Sequence, residues 1–183
     1  MLDTIITSKT RVKMLLKFFS NSQATAYLRE MAKEFGESTN SIRHELNNLS
    51  EAGYLLSREE GRNIYYRANT QHPLYPELKT LVHKYLGLDK IMDNVIHKVL
   101  SRLGNLKLAL ITGDYAAGRD SGIIDLVMIG SIDKEYLMKC VEKVEKLIQR
   151  KVRTLVLSEE EFELNKNSLQ ADRALLLWRE EVL

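Results

Sequence analysis

One cysteine, Cys140, stands in this 183-residue chain, so no disulfide can close within it and a reducing compartment is expected. Proline is nearly as scarce. Its only two copies, Pro73 and Pro76, fall together in the stretch NTQHPLYPE. No apolar run approaches the roughly 20 residues needed to cross a bilayer. The start, MLDTIITSKTR, has no basic segment leading into an apolar one, so a cytoplasmic protein with no membrane partner is expected. A strong net charge is missing too. The 27 Lys and Arg against 25 Asp and Glu leave +2, so bulk charge identifies no polyanionic partner and any basic surface must be local. Tandem repeats and low-complexity tracts are absent.

What remains is an ordinary globular composition, 44% hydrophobic, long enough for one mid-sized domain or two small ones. Proline fixes its own φ and pushes the residue before it out of helix, so Pro73 and Pro76 mark the expected joint between two parts. Before that joint the apolar residues recur at helical spacing. Val12, Leu15, Leu16 and Phe19 form one stripe, with Lys13 and Lys17 expected on other faces. Leu28, Met31, Ala32 and Phe35 form a second, which Gly36 stops. Ser38 offers its hydroxyl as N-cap to a third helix with Ile42, Leu46 and Leu49 on its buried side, closed by Gly53. Two strands near Tyr54–Arg58 and Ile64–Arg67 flank the turn Glu59-Glu60-Gly61-Arg62-Asn63.

After the joint, Leu74, Leu78, Leu81, Val82 and Tyr85 mark a fourth helix, ended by Gly87. Leu88, Ile91, Met92, Val95, Ile96, Val99, Leu100 and Leu103 mark a fifth. Its stripe is wide enough to serve either as a dimer contact or as packing against its own domain. The period then changes. LKLALIT (Leu106–Thr112), IIDLVMIG (Ile123–Gly130), Val152–Leu157 and ALLLW (Ala174–Trp178) read as strands. A helix from Tyr136 to Ile148 and a short one capped by Ser158 and Glu161 lie between them. This alternation makes the second half α/β. Cys140 lies on an apolar stripe and reads as core, as does Trp178. The signs in KEYLMKCVEKVEKLIQRK alternate as on a solvated helix face.

The segment from Tyr27 to Tyr66, YLREMAKEFGESTNSIRHELNNLSEAGYLLSREEGRNIYY, runs helix, turn, helix, hairpin. A helix that reads DNA needs one apolar edge to dock and one polar edge for bases. The third helix has both, leaving Ser38, Thr39, Asn40, Ser41, Arg43, His44 and Asn47 outward. Arg pairs with guanine, Asn with adenine, and hydroxyls reach phosphates. Arg58, Arg62 and Asn63 would extend the surface along the hairpin, with Tyr65 beneath it. Glu45, Glu59 and Glu60 count against a purely basic surface. A small helical domain with a solvated polar face is the plainer alternative. Residues 1–70 resemble winged helix-turn-helix regulators of the ArsR/MarR-like kind, which implies double-stranded DNA as partner and a homodimer. ArsR-type metal sensors carry clustered Cys or His, whereas here Cys140 is alone and His44, His72, His83 and His97 are scattered. No metal is expected.

The segment ITGDYAAGRDSGIIDLVMIG (Ile111–Gly130) resembles the signature of the polymerase-β-like nucleotidyltransferases: a turn of small residues after one strand, then Asp-x-Asp on the next. Gly113, Ala116 and Gly118 match, and Asp125-Leu126 matches the end of the pair. KVRTLVLSEEEFE (Lys151–Glu163) resembles the later strand and helix. The chemistry implied is transfer through two Mg²⁺ ions, which needs several carboxylates on one face. Residues two apart on a strand share a face, so Ile123 stands where the first acid belongs. Asp120 lies on the loop, Val152–Leu157 carries no acid, and Asp114 replaces the serine that would approach a phosphate. Gly113, Asp114 and Asp125 thus outline a degenerate pocket with no catalytic residue. Asp125 becomes a polar strand-end residue bonded to the turn.

The fold class expected is a two-domain α+β or α/β chain. A winged helix-turn-helix occupies 1–72, connecting helices 73–104, and a nucleotidyltransferase-like mixed sheet with helices 105–183. The function expected is sequence-specific DNA-binding transcriptional regulation, not enzymatic and without a cofactor, with room for an unidentified small-molecule effector. Two other readings stay open: an active nucleotidyltransferase targeted by its DNA-binding module, and a winged helix that meets protein instead of DNA.

Overall fold

The computed structural model describes residues 5–102 and 105–180. Leu103 lies outside them, as do the first residues of the expected segment 1–72 and the last of 73–104 and 105–183. The described residues form helices and two separate sheets, divided into two compact units, Met1–Tyr85 and Leu86–Leu183. No helix among them is long and apolar enough to cross a membrane.

The first unit opens with α1 (Lys9–Ser20), capped by the Ser8 hydroxyl, which accepts from the Arg11 N–H at 3.2 Å. The expected stripe is buried, but so are Met14 and Phe18, because α1 is enclosed on nearly every side. Lys17 is a correction to the sequence expectation. It is only 6% exposed and its Nζ donates to Glu34 Oε2 at 2.7 Å. A charge that deep survives only when paired, and removing one partner of such a pair costs about 3–5 kcal/mol. Lys13, also on α1, donates to the Phe35 carbonyl and to Glu37.

A short β1 (Thr25–Tyr27), unseen in the sequence pattern, leads into α2 (Leu28–Phe35). Gly36 ends α2 at φ 65°, where a side chain would be strained. The turn Gly36-Glu37-Ser38 leads to α3 (Thr39–Glu51). The hairpin of β2 (Leu55–Glu60) and β3 (Asn63–Ala68) follows, and β1 pairs with β3 to give the order β1-β3-β2, all antiparallel. Pairing extends to Glu60 opposite Asn63, so the turn shrinks to Gly61-Arg62, with glycine in the position that needs positive φ.

The proline pair opens α4 (Tyr75–Leu86). Tyr75 packs on Phe19 with ring centroids 5.7 Å apart, and His83 Nε2 donates to the Ser20 carbonyl at 3.0 Å. Tyr75, Val82 and Leu86 are the buried residues here, while Leu74 and Leu81 are exposed, contrary to the expected stripe. Because the helix begins at Tyr75 and docks through that ring, its buried side is rotated away from Leu74 and Leu81.

In the second unit, Gly87 adopts φ 78° against Ile148, where an added Cβ would lie 2.7 Å from that side chain. The helical run that follows is α5 (Leu88–Ile91), a π turn (Met92–Ile96) and α6 (His97–Arg102). Strands β4 (Asn105–Thr112), β5 (Ile123–Ser131), β6 (Lys151–Leu157) and β7 (Leu175–Arg179) form a mixed sheet in the order β6-β5-β4-β7. Only β5 and β6 are parallel, joined by α8 (Lys134–Ile148). A single βαβ crossover therefore sits inside an otherwise antiparallel sheet. One face packs Leu110, Val127 and Ile129 against Phe162 of α9 (Glu159–Asn165). The Ser158–Glu161 capping box starts that helix as expected.

Leu88, Ile91, Val95, Ile96 and Val99 are each at most 2% exposed in the single chain. They pack within their own unit, so the fifth-helix stripe is not available as a dimer contact. Val95→Asp is therefore expected to unfold the second unit, since an unpaired carboxylate buried there costs several kcal/mol. Thermal melting followed by circular dichroism should show a large loss that does not depend on protein concentration. A folded variant with the parent's melting temperature would refute this burial.

Candidate nucleic-acid interface

Helix α3 is polar on one side because its apolar residues are spaced for the other. Ile42, Leu46 and Leu49 are buried, while Thr39, Asn40, Arg43, His44 and Asn47 are exposed. Ser38 is exposed, but its hydroxyl is used as the N-cap, accepting from the Ser41 N–H at 3.1 Å. Ser41 is a partial correction. It is half-buried, and its hydroxyl lies 3.1 Å from that of Thr10 on α1, so it faces the protein. Asn40 and Arg43 meet at 3.5 Å and His44 and Asn48 at 3.2 Å, both along the exposed surface.

Glu45 departs most from the sequence reading, which counted it against a basic surface. It is 5% exposed, and its carboxylate takes the Ser8 hydroxyl at 2.6 Å and Arg11 Nε at 2.8 Å. Burial pushes its pKa up, but the hydrogen bonds from Ser8 and Arg11 and the Arg11 charge outweigh that and hold it below the ordinary value. The outer face of α3 thus keeps Arg43 and His44 exposed, and the acid left exposed on the helix is Glu51 at its C-terminal end. On the hairpin, Arg58 and Arg62 are exposed, and so are Glu59 and Glu60. Asn63 is half-buried in the ladder opposite Glu60.

The second expected cluster lies at the β4–β5 connection. Gly113 begins the short α7 (Gly113–Ala116), and a Cβ on it would lie 2.7 Å from Asp125 Oδ2. Each carboxylate here is held by an arginine. Asp125 accepts from Arg153 Nε at 2.6 Å and Nη2 at 2.9 Å, because Arg153 is its direct neighbour on β6. Its partner is thus Arg153 rather than the turn. Asp114 pairs with Arg119, which lowers its pKa. Asp120 pairs with Arg150 at 2.6 Å and accepts from the Tyr115 hydroxyl. Among the described residues, no group of three or more His, Cys, Asp or Glu is placed to hold a metal. The sequence reading noted that β6 lacks acids and missed that it supplies Arg153. Alternation along one strand could not have placed it, because the pairing rests on the β5–β6 register.

No family model matches the chain, and no curated protein does. Among solved structures, reduced HlyU from Vibrio cholerae N16961 is similar over 48% of this chain and 83% of its own, at 16% identity and a TM-score of 0.37. The transcriptional regulator BldR from Sulfolobus solfataricus is similar over 56% of this chain and 80% of its own, at 14% identity and a TM-score of 0.36.

Glu45→Gln should lower stability by about 1–2 kcal/mol near neutral pH, the worth of a charged hydrogen bond discounted for the half-exposed Arg11. A carboxyl whose folded pKa is depressed contributes above its unfolded value and loses that contribution as pH falls through the folded one. The gap between parent and variant should therefore close on acidification below about pH 4. Denaturant titrations across pH measure it, and a gap that stays constant would show that the charge of Glu45 is not what matters.

Proposed function

We propose that this chain is a DNA-binding transcriptional regulator that reads duplex DNA with α3 and steadies itself with the β2–β3 hairpin. One observation carries the reading. The carboxylate that would have repelled phosphate, Glu45, is turned inward and neutralised, while Thr39, Asn40, Arg43, His44 and Asn47 share the open face. Arg43 and Asn47 have the donor geometry for guanine and adenine edges in the major groove. Arg58, Arg62 and Asn63 supply backbone contacts, with Arg62 at the tip best placed to reach phosphate. A homodimer fits the reading, since one module makes few base contacts and two half-sites multiply the discrimination.

For residues 105–183 we infer a nucleotidyltransferase-like domain without transfer activity. Two-metal transfer needs clustered carboxylates to hold cations. Here Ile123 has no oxygen to offer, and the residue beside Asp125 is the cation Arg153. Gly113 leaves room for Asp125, and Asp114, held by Arg119, stands where the family's turn carries a serine. With Mg²⁺ or Mn²⁺ and labelled nucleoside triphosphates, no incorporation is expected into protein, RNA or a small acceptor. Incorporation abolished by Asp125→Ala would make the protein an enzyme.

Arg43→Ala is expected to weaken binding to a preferred site by about 1–3 kcal/mol, with the loss concentrated at one base position. Arg62→Ala should weaken binding to all sequences alike and reduce the slope of log affinity against log salt by about one unit. Fluorescence anisotropy on specific and scrambled duplexes separates the two patterns. Unchanged affinity and preference in Arg43→Ala would remove α3 from the interface.

A further inference from the structure

The three-stranded sheet of the first unit has an outer face that meets the duplex-reading surface only at Arg58 and, at the hairpin end, Asn63. The register places Thr25 opposite Arg67 and Tyr27 opposite Tyr65, with Arg67 opposite Leu56 and Tyr65 opposite Arg58. Side chains alternate along each strand, so these six residues share one face. The alternate set includes Ala26, Leu55 and Ala68, which are at most 3% exposed and point into the core. The six therefore face outward, and Thr25, Leu56, Arg58 and Arg67 are exposed.

This face combines three features that bear on a ligand. Two tyrosine rings meet edge to face with centroids 5.4 Å apart. Two guanidiniums, Arg58 and Arg67, flank them, and neither joins an ion pair among the described residues. A concavity of about 680 Å³ borders Tyr65, Arg58, Arg67, Leu56 and Thr25 of this face, reaching Ser57 and Tyr66 as well but not Tyr27. That volume suits a nucleotide-sized group. The one acid bordering it is Glu60, at the hairpin end, so the local balance favours an anion.

We propose that this outer face binds a single strand of nucleic acid, with bases stacked against the Tyr27–Tyr65 pair and backbone phosphates held by Arg58 and Arg67. Aromatic platforms bordered by cations take single strands without reading their sequence, because every base has a π-face and every nucleotide a phosphate. The rows of the sheet set the spacing: Arg58, Tyr65 and Tyr27 lie in one row, Leu56, Arg67 and Thr25 in the next. A strand crossing the sheet meets both arginines and both rings. The site is separate from α3, so it stands whether or not α3 reads duplex DNA.

The test is fluorescence anisotropy with a short labelled oligothymidylate, a blunt duplex and thymidine monophosphate as competitor, using the full chain. The oligothymidylate should bind, and more weakly as salt rises. Tyr65→Ala and Arg67→Gln should each weaken it about tenfold, whereas Tyr65→Phe, which keeps the ring, should stay within about twofold. If Tyr65→Ala fails to fold by circular dichroism, Arg67→Gln and Tyr27→Ala carry the test. No binding of the oligothymidylate, or binding unmoved by these variants, overturns the proposal. So does displacement by thymidine monophosphate at the same concentration as by unlabelled oligothymidylate, which would mark a pocket for one nucleotide. Blunt duplex bound while the oligothymidylate is not overturns this proposal alone. The reverse result overturns the reading of α3 alone.

Discussion

Glu45 sits on the buried side of α3, where a carboxylate without partners would be intolerable. Arg11 and Ser8 supply those partners from the start of α1, and in doing so they fix how α3 lies against α1. The orientation matters because α3 has only one apolar edge. With Ile42, Leu46 and Leu49 packed and Glu45 clasped, Arg43, His44 and Asn47 have no direction left but outward. A second clasp, Lys17 to Glu34, binds α1 to α2 in the same way. The polar surface of the first unit is thus set by charges hidden beneath it.

Features written in local sequence were legible. The Ser38 cap, the Gly36 stop and the Ser158–Glu161 capping box each involve residues within one turn, and each lies where the pattern places it. The buried edge of α3 followed from spacing alone. What could not be read depends on partners distant in the chain. Lys17 and Glu45 look like surface charges until Glu34 and Arg11 are brought to them. Strand β1 is too short to show alternation and exists because β3 offers it an edge. Spacing alone left the fifth-helix stripe open between a dimer contact and packing in its own domain, and only the placement of its neighbours shows it buried within the chain. Leu74 and Leu81 satisfied a helical pattern yet ended exposed, since the docking of Tyr75 chose the buried side.

The second unit shows the same division between composition and arrangement. Its small-residue turn and Asp125 are visible in the sequence, and so is the loss of acids around them. The arginines are not, because pairing requires the β5–β6 register that sets Arg153 beside Asp125. Three carboxylates in one region would suggest cation binding, yet Asp114, Asp120 and Asp125 are each held by a guanidinium. Such pairs satisfy the acids locally and leave them poor ligands for a metal. Around this tight turn the three acids form salt bridges.

The central claim is that the open face of α3 reads base sequence in duplex DNA. Selection of bound fragments from a randomised duplex pool, followed by sequencing, tests it most directly. The account predicts enrichment of one short motif, repeated as two half-sites about one helical turn apart, roughly 10–10.5 base pairs, if the protein binds as a dimer. A pool that is retained without any enriched motif would mean that the face holds backbone only. A pool that is not retained at all, even at low salt, would mean that α3 does not meet DNA.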